Sequence, residues 1–317
     1  MKSEIHQPLH ESGRVIGRFA PSPTGPLHLG SLVAAVGSYL FARQAGGLWL
    51  MRMEDLDTPR VVPGMADDIL RTLEALGFTW DGEVVRQSSR TAAYEAALAE
   101  LARIGMVYPC GCSRAEIARI GSAPHGREDE LRYPGLCRNG LPAGKSPRAI
   151  RVRVADEPVT FMDGVMGEVS ENLGESCGDF VVKRADGPFA YQLAVVVDDG
   201  EAGVTQVVRG SDLLLSTPRQ IYLQRLLGYA VPGYCHLPLV TGPHGAKLSK
   251  RENAVSIASG RNLQHEGGAL LVAALCFLGQ EPPVSLARAS CREILAWGVA
   301  RFDFRLIPQH FASFPAG

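Results

Sequence analysis

Apolar runs of strand length alternate with longer runs of helical periodicity along the first third of the chain. The pattern predicts a strand near 14–19, a helix near 28–45 that ends at two glycines, and a strand at 48–53. Helices follow near 64–76 and near 90–104. Because strands that alternate with helices favour parallel pairing, we predict an α/β fold with a doubly wound parallel sheet of the Rossmann type.

The alternation returns in the second half of the chain after an irregular stretch. Strands are predicted at 149–154, 179–182, 190–197, 204–208 and 236–240, and helices near 217–228, 269–278 and 288–299. Between about 108 and 147, Gly, Pro, Arg and Cys replace the periodic pattern, which indicates an inserted module. We therefore predict a flexible tail at 1–13, one α/β domain formed by 14–107 and 148–240, an insertion at 108–147, and a loop with short helices at 241–317.

The composition of the 317 residues is that of an ordinary globular protein, with 46% hydrophobic and 21% charged residues. The formal net charge of −1 excludes a strong overall basic field, so a nucleic-acid partner would need a local patch. Seven cysteines, an odd number, argue against a disulfide framework of the secreted kind. Since no apolar run reaches about 18 residues and no signal-like segment opens the chain, we expect a cytoplasmic protein with no membrane partner.

Residues 18–31 combine a strand end, a turn rich in proline and glycine, and the start of a helix. This order directs backbone N–H groups and the positive end of a helix dipole towards a phosphate. His28 could donate a hydrogen bond to a phosphate oxygen, and the missing side chain at Gly30 would let an adenine approach. The spacing matches neither the dinucleotide fingerprint nor a P-loop. A proline-rich turn before a core helix is the alternative.

A second segment, 247–251, contains two lysines three residues apart with a serine between them. Lys247 and Lys250 could close over a triphosphate and neutralise the charge that develops on departing pyrophosphate. On its own, such a segment is usually a solvated surface loop.

The predicted insertion carries three thiols, Cys110, Cys112 and Cys137, that it could bring together. So small a module buries little apolar area, and a structural metal ion would supply the missing free energy of folding. Structural zinc takes four ligands. The fourth could be His125 or Tyr133, and imidazole is the commoner ligand. Three buried, reduced cysteines without a metal are the alternative.

If the substrate is an amino acid, charged residues at the predicted strand ends could hold its ammonium and carboxylate groups, although each arginine taken singly could equally be a surface or salt-bridge residue. Arg18 could reach a carboxylate, and Glu54, at the carboxyl end of the second strand, could pair with an ammonium group. Tyr191 and Arg209 follow on later predicted strands. Two arginines and one carboxylate that face one cleft would suit a substrate with two acid groups and one amine, glutamate or aspartate. The pair 198–199 is either a functional acid pair or a solvated turn at a strand end.

These segments resemble signature elements of class I aminoacyl-tRNA synthetases. His28 to Ser31 is similar to the HIGH element and Lys247 to Arg251 to the mobile KMSKS loop, with Leu248 and Arg251 in place of a methionine and a serine. Residues 14–255 resemble the catalytic half of glutamyl-tRNA synthetases. The remainder is too short for the anticodon-binding domain of those enzymes, which makes the chain similar to their truncated paralogues, the glutamyl-Q tRNA(Asp) synthetases.

The resemblance implies that the chain uses ATP and Mg²⁺ to activate L-glutamate as glutamyl-adenylate and transfers glutamate to the queuosine base in the anticodon loop of tRNA(Asp). It assigns residues to four roles: glutamate binding by Arg18, Phe19, Ala20, Pro21, Ser22, Glu54, Tyr191 and Arg209; ATP binding by His28, Gly30 and Lys250; catalysis by His28, Gly30, Lys247 and Lys250; and one structural zinc ion on Cys110, Cys112, Tyr133 and Cys137. A monomer is expected. A compact glutamyl-tRNA synthetase that charges a tRNA 3′ end and a non-catalytic paralogue are the alternatives.

Overall fold

The computed structural model describes residues 13–120, 132–241, 256–259, 262–309 and 312–313. The predicted tail up to residue 12, the alternative zinc ligand His125, and the loop lysines Lys247 and Lys250 lie outside these described residues. The predicted domain boundaries stay predictions.

The structure contains strands and helices in alternation. The strands are β1 (Ile16–Phe19), β2 (Leu48–Met53), β3 (Val85–Arg86), β4 (Val107–Cys110), β5 (Ala149–Val152), β6 (Pro158–Asp163), β7 (Gly167–Asn172), β8 (Val181–Lys183), β9 (Gln206–Gly210), β10 (Gly233–Leu237), β11 (Val240–Thr241) and β12 (Ala312–Ser313). The helices are α1 (Leu29–Gln44), α2 (Met65–Ala75), α3 (Thr91–Arg103), α4 (Arg114–Ile120), α5 (Leu173–Ser176), α6 (Tyr191–Glu201), α7 (Thr217–Leu227), α8 (Leu263–Phe277) and α9 (Cys291–Arg301).

The central strands are parallel, as predicted. β1 pairs with β2 and β2 with β3, while β10 pairs with β9 and β6, all in parallel. The N–H of Thr205, just before β9, donates to the carbonyl of Ile16 in β1 at 2.9 Å, which brings the two groups of strands side by side. β1 therefore has β2 on one side and β9 on the other, a reversal of strand order at which open α/β sheets bind ligands.

Helices cover both faces of these strands. One apolar cluster contains residues of α1, α2, α8 and α9, and a second contains residues of α3, α6 and α7. Successive residues of a strand pack into different clusters. Val208 and Cys235 belong to the first cluster, and their neighbours Val207 and Tyr234 belong to the second. This alternation is what the pleat of a strand buried on both faces requires, and it confirms the doubly wound arrangement.

Helix α1 is held tightly against the sheet by two glycines. A Cβ at Gly37 would lie 2.5 Å from Leu237 in β10, and a Cβ at Gly47 would lie 2.2 Å from the carbonyl oxygen of Val15. Larger residues at either position would push the helix or the following strand outwards. The close packing fixes the position of the amino-terminal end of α1, which borders the site described below.

The C-terminal helices extend the core of the sheet domain. Leu275 in α8 and Gly298 in α9 pack against Leu40 in α1, and a Cβ on Gly298 would meet Leu40 at 2.9 Å. The predictions of helices at 269–278 and 288–299 are confirmed, and the structure gives them a packing role. Of the helices described, not one is long and apolar enough to cross a membrane.

Three details of the predicted elements are wrong. The pattern predicts a strand over 190–197, but residues 191–197 belong to helix α6 and Ala190 is its N-cap. A short apolar run fits a buried strand and a buried helix equally well, and here residues of α6 are buried against α3 and α7. The hairpin of β6 and β7, joined by residues 164–166, is absent from the prediction. The last predicted strand, 236–240, is divided between β10 and β11.

Candidate active site

A cavity of about 1130 Å³, open to solvent, lies at the carboxyl ends of β1, β2, β9 and β10 beside the start of α1. This is the position at which parallel sheets bind small molecules. Every predicted glutamate or ATP residue that the structure describes lines this cavity: Arg18, Phe19, Ala20, Pro21, Ser22, His28, Gly30, Glu54, Tyr191 and Arg209. The structure thus brings Arg18 and Arg209, 191 positions apart in the sequence, to one cavity.

The amino-terminal end of α1 forms one wall of the cavity. His28 caps the helix in extended conformation, and its Nδ1 accepts the N–H of Ser31 at 3.4 Å. Gly30 leaves room for the imidazole, because a Cβ at that position would lie 3.1 Å from His28 Cε1. The first turn carries no acidic residue, so the positive end of the helix dipole is not neutralised there. The wall is suited to an anion such as a phosphate.

Arg18 is anchored beneath the cavity by a buried carboxylate. Its Nε donates to both oxygens of Asp199, at 3.2 and 3.3 Å. Arg52 Nη1 donates to Asp199 at 2.6 Å, and Arg52 Nη2 donates to Glu54 at 3.2 Å. The anchor uses the Nε of Arg18, and the same side chain also lines the cavity.

Asp198 and Asp199 are buried side chains of α6, so their interpretation as a solvated turn at a strand end is wrong. Asp198 accepts hydrogen bonds from Gln87 at 2.8 Å, from Arg90 at 2.6 Å and from Tyr94 at 2.9 Å. Neither aspartate lines the cavity. Asp199 holds Arg18 of β1 and Arg52 of β2, and Asp198 contacts Tyr94 of α3. The two aspartates therefore join α6 to the sheet and to α3 and hold residues beside the cavity in place.

Acid is expected to weaken this support. Burial alone would raise the pKa of Asp199, but the charges of Arg18 and Arg52 lower it below its usual value. A lowered pKa stabilises the folded state above about pH 4, and this stabilisation is lost as the pH falls further. We expect the difference in unfolding free energy between wild type and Asp199→Asn to shrink from pH 7 to pH 3 in urea titrations. A difference that stays constant over this range would contradict the assignment.

Glu54 and Tyr191 complete the polar lining. Burial raises the pKa of Glu54, although Arg52 and Arg18 act in the opposite direction. The Glu54 carboxylate therefore gains from an additional cation, and an ammonium group in the cavity would supply one. Burial also raises the pKa of Tyr191 to about 12, so its phenol is a neutral hydrogen-bond donor at physiological pH. Tyr191 is the first residue of helix α6, and its predicted place on a strand is wrong.

Two charged residues of this region, Arg52 and Asp212, are absent from the sequence-based predictions. Arg52 lies two positions before Glu54 at the end of β2, and their side chains contact each other. The period of two in a strand is the signal that could have linked them. Asp212 also lines the cavity, and a Cβ at Gly210 would lie 2.6 Å from its carboxylate. The position of Asp212 directly after β9 was the available signal.

The predicted metal ligands come together outside the cavity. The Sγ atoms of Cys110, Cys112 and Cys137 lie within 4.8 Å of one another. The Tyr133 hydroxyl is 3.4 Å from Cys110 Sγ and 3.7 Å from Cys112 Sγ. Tetrahedral zinc with bonds of about 2.0–2.3 Å needs ligand atoms at roughly 3.3–3.8 Å from one another. The three thiols and the phenol therefore fit such a site, whereas His125 lies outside the described residues.

Arg151 packs against this cluster. Its guanidinium carbon lies 3.8 Å from the centre of the Tyr133 ring, and its Nε donates to Cys110 Sγ at 3.3 Å. Burial raises the pKa of Cys110, but its hydrogen bonds with Tyr133, the backbone of Cys112 and Arg151 outweigh burial and lower the pKa overall. Thiolate is the form that binds metal ions, so the surroundings of Cys110 favour the ligand state, whereas burial raises the pKa of Cys112 to about 11.

Residues 14–289 match the family model described as the catalytic domain of class I tRNA synthetases for E and Q. The chain belongs to this family. The glutamyl-Q tRNA(Asp) synthetase of Geobacter sulfurreducens is 67% identical over 302 residues, 95% of this chain and 96% of the relative. The protein with the same name from Dechloromonas aromatica is 56% identical over 92% of this chain and 95% of its own.

A solved glutamate-tRNA synthetase from Elizabethkingia anophelis has the same fold, with a TM-score of 0.78 and 28% identity over 96% of this chain and 68% of that chain. A glutamate tRNA ligase from Elizabethkingia meningosepticum, solved in complex with its amino acid, gives the same TM-score. These comparisons confirm the predicted class I catalytic fold and the resemblance to glutamyl-Q tRNA(Asp) synthetases. The chain is a ligase of the aminoacyl-tRNA synthetase type.

Proposed function

We propose that this ligase activates L-glutamate with ATP to form glutamyl-adenylate and then transfers glutamate to the queuosine base in the anticodon loop of tRNA(Asp). The observation that carries the proposal is the meeting of Arg18, Arg209 and Glu54 in one cavity beside the start of helix α1. The names of the most similar relatives agree with both the amino acid and the tRNA. Since the substrates are ATP and tRNA, we infer a cytoplasmic enzyme, and we propose that it acts as a monomer.

In this proposal the cavity recognises glutamate by charge. Arg18 and Arg209 bind the two carboxylates, and Glu54 binds the ammonium group. Bidentate contact between a planar guanidinium and a carboxylate distinguishes glutamate from glutamine, because the neutral amide presents an N–H₂ group to a donor. Tyr191 donates its hydroxyl proton to a carboxylate oxygen, since its phenol is neutral. The segment from Phe19 to Ser22 forms the floor beside Arg18.

ATP binds with its phosphates at the start of α1. The backbone N–H groups of the first turn and the His28 ring donate hydrogen bonds to the phosphates, and the missing side chain at Gly30 leaves room for the His28 ring. Lys247 and Lys250, in the segment that resembles the KMSKS loop, would neutralise charge on the phosphates. Mg²⁺ that arrives with ATP neutralises part of the triphosphate charge. The protein contributes position and charge stabilisation, and no residue acts as a covalent nucleophile.

The reaction has two steps. An oxygen of the glutamate α-carboxylate attacks the α-phosphorus of ATP, the bond between the α-phosphorus and the bridging oxygen to the β-phosphorus breaks, and pyrophosphate leaves. A hydroxyl of queuosine then attacks the activated carbonyl and releases its proton, an ester bond forms, the bond between the carbonyl carbon and the phosphate oxygen breaks, and AMP leaves. Arg18 and Arg209 hold the amino acid during both steps, so that the carbonyl stays in one orientation.

Exchange of labelled pyrophosphate into ATP tests the first step. We expect exchange that depends on L-glutamate and is at least about 100-fold weaker with L-glutamine or L-aspartate, because neither places two carboxylates at the right separation. The assay is run with and without tRNA. If glutamate supports no exchange under either condition, the chain is a non-catalytic paralogue and the proposal is wrong.

We also propose that Cys110, Cys112, Cys137 and Tyr133 hold one zinc ion of structural type. Bound zinc would cross-link β4 to the segment around Cys137, which has little apolar surface of its own. Wild-type protein is expected to contain one zinc ion per chain by mass spectrometry, and Cys112→Ser to lose most of it and to melt at a lower temperature. Cys276→Ser, a change of an exposed cysteine in α8, is the matched control. Equal zinc contents in the two variants would refute the site.

A further inference from the structure

Three buried polar side chains form a continuous chain that leads from the interior of the sheet to the cavity. Asp163, at the end of β6, contacts Nδ1 of His236 through Oδ2 at 2.6 Å. Nε2 of His236, in β10, contacts Nε of Arg209, in β9, at 3.1 Å. The side chains of Asp163 and His236 have no exposed surface. Only Arg209, the last of the three, lines the cavity.

The surroundings of Asp163 determine which nitrogen of His236 carries the proton. Oδ1 of Asp163 accepts the backbone N–H groups of Val165, Met166 and His236 at 2.8–3.1 Å. These bonds and the histidine lower the pKa of Asp163 in spite of its burial, so it is a carboxylate. A carboxylate is only an acceptor, and Nδ1 of His236 must therefore be the donor.

His236 consequently presents a lone pair to Arg209. Burial lowers the pKa of His236 although Asp163 acts in the opposite direction, so the ring is neutral at physiological pH. With the proton on Nδ1, Nε2 accepts the N–H of Arg209 Nε. The Thr217 hydroxyl, 3.2 Å from Nε2, also accepts from Arg209 Nη2 at 2.7 Å. Two edges of the guanidinium group are thus fixed by the protein.

The third nitrogen of Arg209 is left for a ligand. Nη1 is buried and has no hydrogen-bond partner among the residues that the structure describes. An unpaired guanidinium nitrogen in a buried position is costly unless a ligand satisfies it. Arg209 lines the cavity together with Arg18 and Tyr191. The contacts to His236 and Thr217 therefore determine how Arg209 presents Nη1 to a substrate.

We propose that Asp163 and His236 are positioning residues for Arg209 and thereby set the affinity of the cavity for the glutamate carboxylate that Arg209 binds. This inference rests on the proposed function, since it takes the ligand to be glutamate. Asp163 fixes the tautomer of His236, His236 supplies a neutral acceptor, and that acceptor fixes the plane of the guanidinium group. A fully buried acid and imidazole are costly to desolvate, and orientation of a substrate-binding arginine accounts for that cost.

Two variants of His236 separate its contact with Asp163 from its contact with Arg209. The amide of asparagine occupies the position of Nδ1, so His236→Asn keeps the contact with Asp163 and removes the acceptor for Arg209. The amide of glutamine reaches the position of Nε2, so His236→Gln keeps an acceptor for Arg209 and removes the contact with Asp163. Both variants keep a polar side chain of similar size, and circular dichroism checks that they fold.

Equilibrium dialysis with labelled L-glutamate, and separately with ATP, measures the effect. For His236→Asn we expect the glutamate Kd to rise about 10-fold or more, as for loss of a hydrogen bond to a charged group, with the ATP Kd within about 2-fold. For His236→Gln we expect a rise of less than about 3-fold. Equal glutamate affinities of wild type and His236→Asn would overturn the inference. Wild type that binds no glutamate would instead overturn the proposed function.

Asp163→Asn tests the same chain from its other end. Its amide oxygen can keep the backbone contacts while its NH₂ group faces Nδ1, which moves the histidine proton to Nε2, towards the N–H of Arg209. We expect the glutamate Kd to rise about 10-fold and the His236 tautomer to change in ¹⁵N NMR spectra. A purely structural role would lower stability without this change in the spectrum. If His236→Asn does not fold, equal glutamate affinities of Asp163→Asn and His236→Gln would overturn the inference.

Discussion

Arg209→Lys is expected to raise the Kd for L-glutamate by about 100-fold or more, within the range for loss of one partner of a buried charge pair. Arg209 is 5% exposed, and its Nη1 is the nitrogen that the protein leaves unpaired. Lysine keeps the positive charge but has no planar fork, so it can contact neither His236 and Thr217 nor a carboxylate in the same geometry. The preference for glutamate over glutamine should fall with the affinity.

Equilibrium dialysis with both amino acids measures this effect, and ATP binding is expected to stay within about 2-fold of wild type. The matched control is Arg103→Lys, a change of an exposed arginine in α3 that pairs with Glu100 at the surface. The control should bind glutamate as wild type does. An Arg209→Lys protein with unchanged glutamate affinity would show that Arg209 does not bind the substrate.

Asp199→Ala is expected to lower the free energy of unfolding by about 3–5 kcal/mol. Its carboxylate is buried and contacts the guanidinium groups of Arg18 and Arg52, which are themselves buried. Removal of the carboxylate leaves two buried cations with less compensation, which costs more than the loss of an exposed ion pair. Glutamate binding should weaken as well, because Arg18 loses its anchor.

Urea unfolding at pH 7 measures the change in the free energy of unfolding. If the slope of this free energy against urea concentration is the same in wild type and variant, the two proteins expose similar surface on unfolding. Asp186→Ala is the control, because Asp186 pairs with Arg184 at the surface. The control should cost less than about 1 kcal/mol, as exposed ion pairs do. If Asp199→Ala costs no more than the control, the buried network does not stabilise the fold.

The sequence predicted the parallel sheet and most of its helices because their signals are local. The helix over 28–45 has its cap, its apolar face and its terminal glycines within one segment, and the structure confirms it as α1. Helix α6 lacks such signals: five apolar residues, 193–197, precede two aspartates. The aspartates suggested a solvated turn, whereas in the structure their charges are neutralised by arginines from β1, β2 and the start of α3.

In the candidate sites, too, features with local sequence signals were predictable and features formed by distant residues were not. The cysteine cluster was predictable because two of its thiols are two residues apart and the third follows in the same irregular stretch. The contact between Asp163 and His236 joins residues 73 positions apart on two strands, and one of those strands was not predicted. Nothing local marks either residue as polar and buried. The series of side-chain contacts from Asp163 through His236 to Arg209 therefore becomes visible only in the folded structure.

Transfer of labelled L-glutamate to purified tRNA(Asp), with and without queuosine, tests the central claim most directly. Each tRNA is also supplied without its 3′-terminal adenosine, which removes the usual acceptor of a synthetase. We expect label on the queuosine-containing tRNA whether or not the 3′ adenosine is present, and no label on tRNA that lacks queuosine. If labelling requires the 3′ adenosine and is the same with and without queuosine, the result would contradict the account and identify a compact glutamyl-tRNA synthetase.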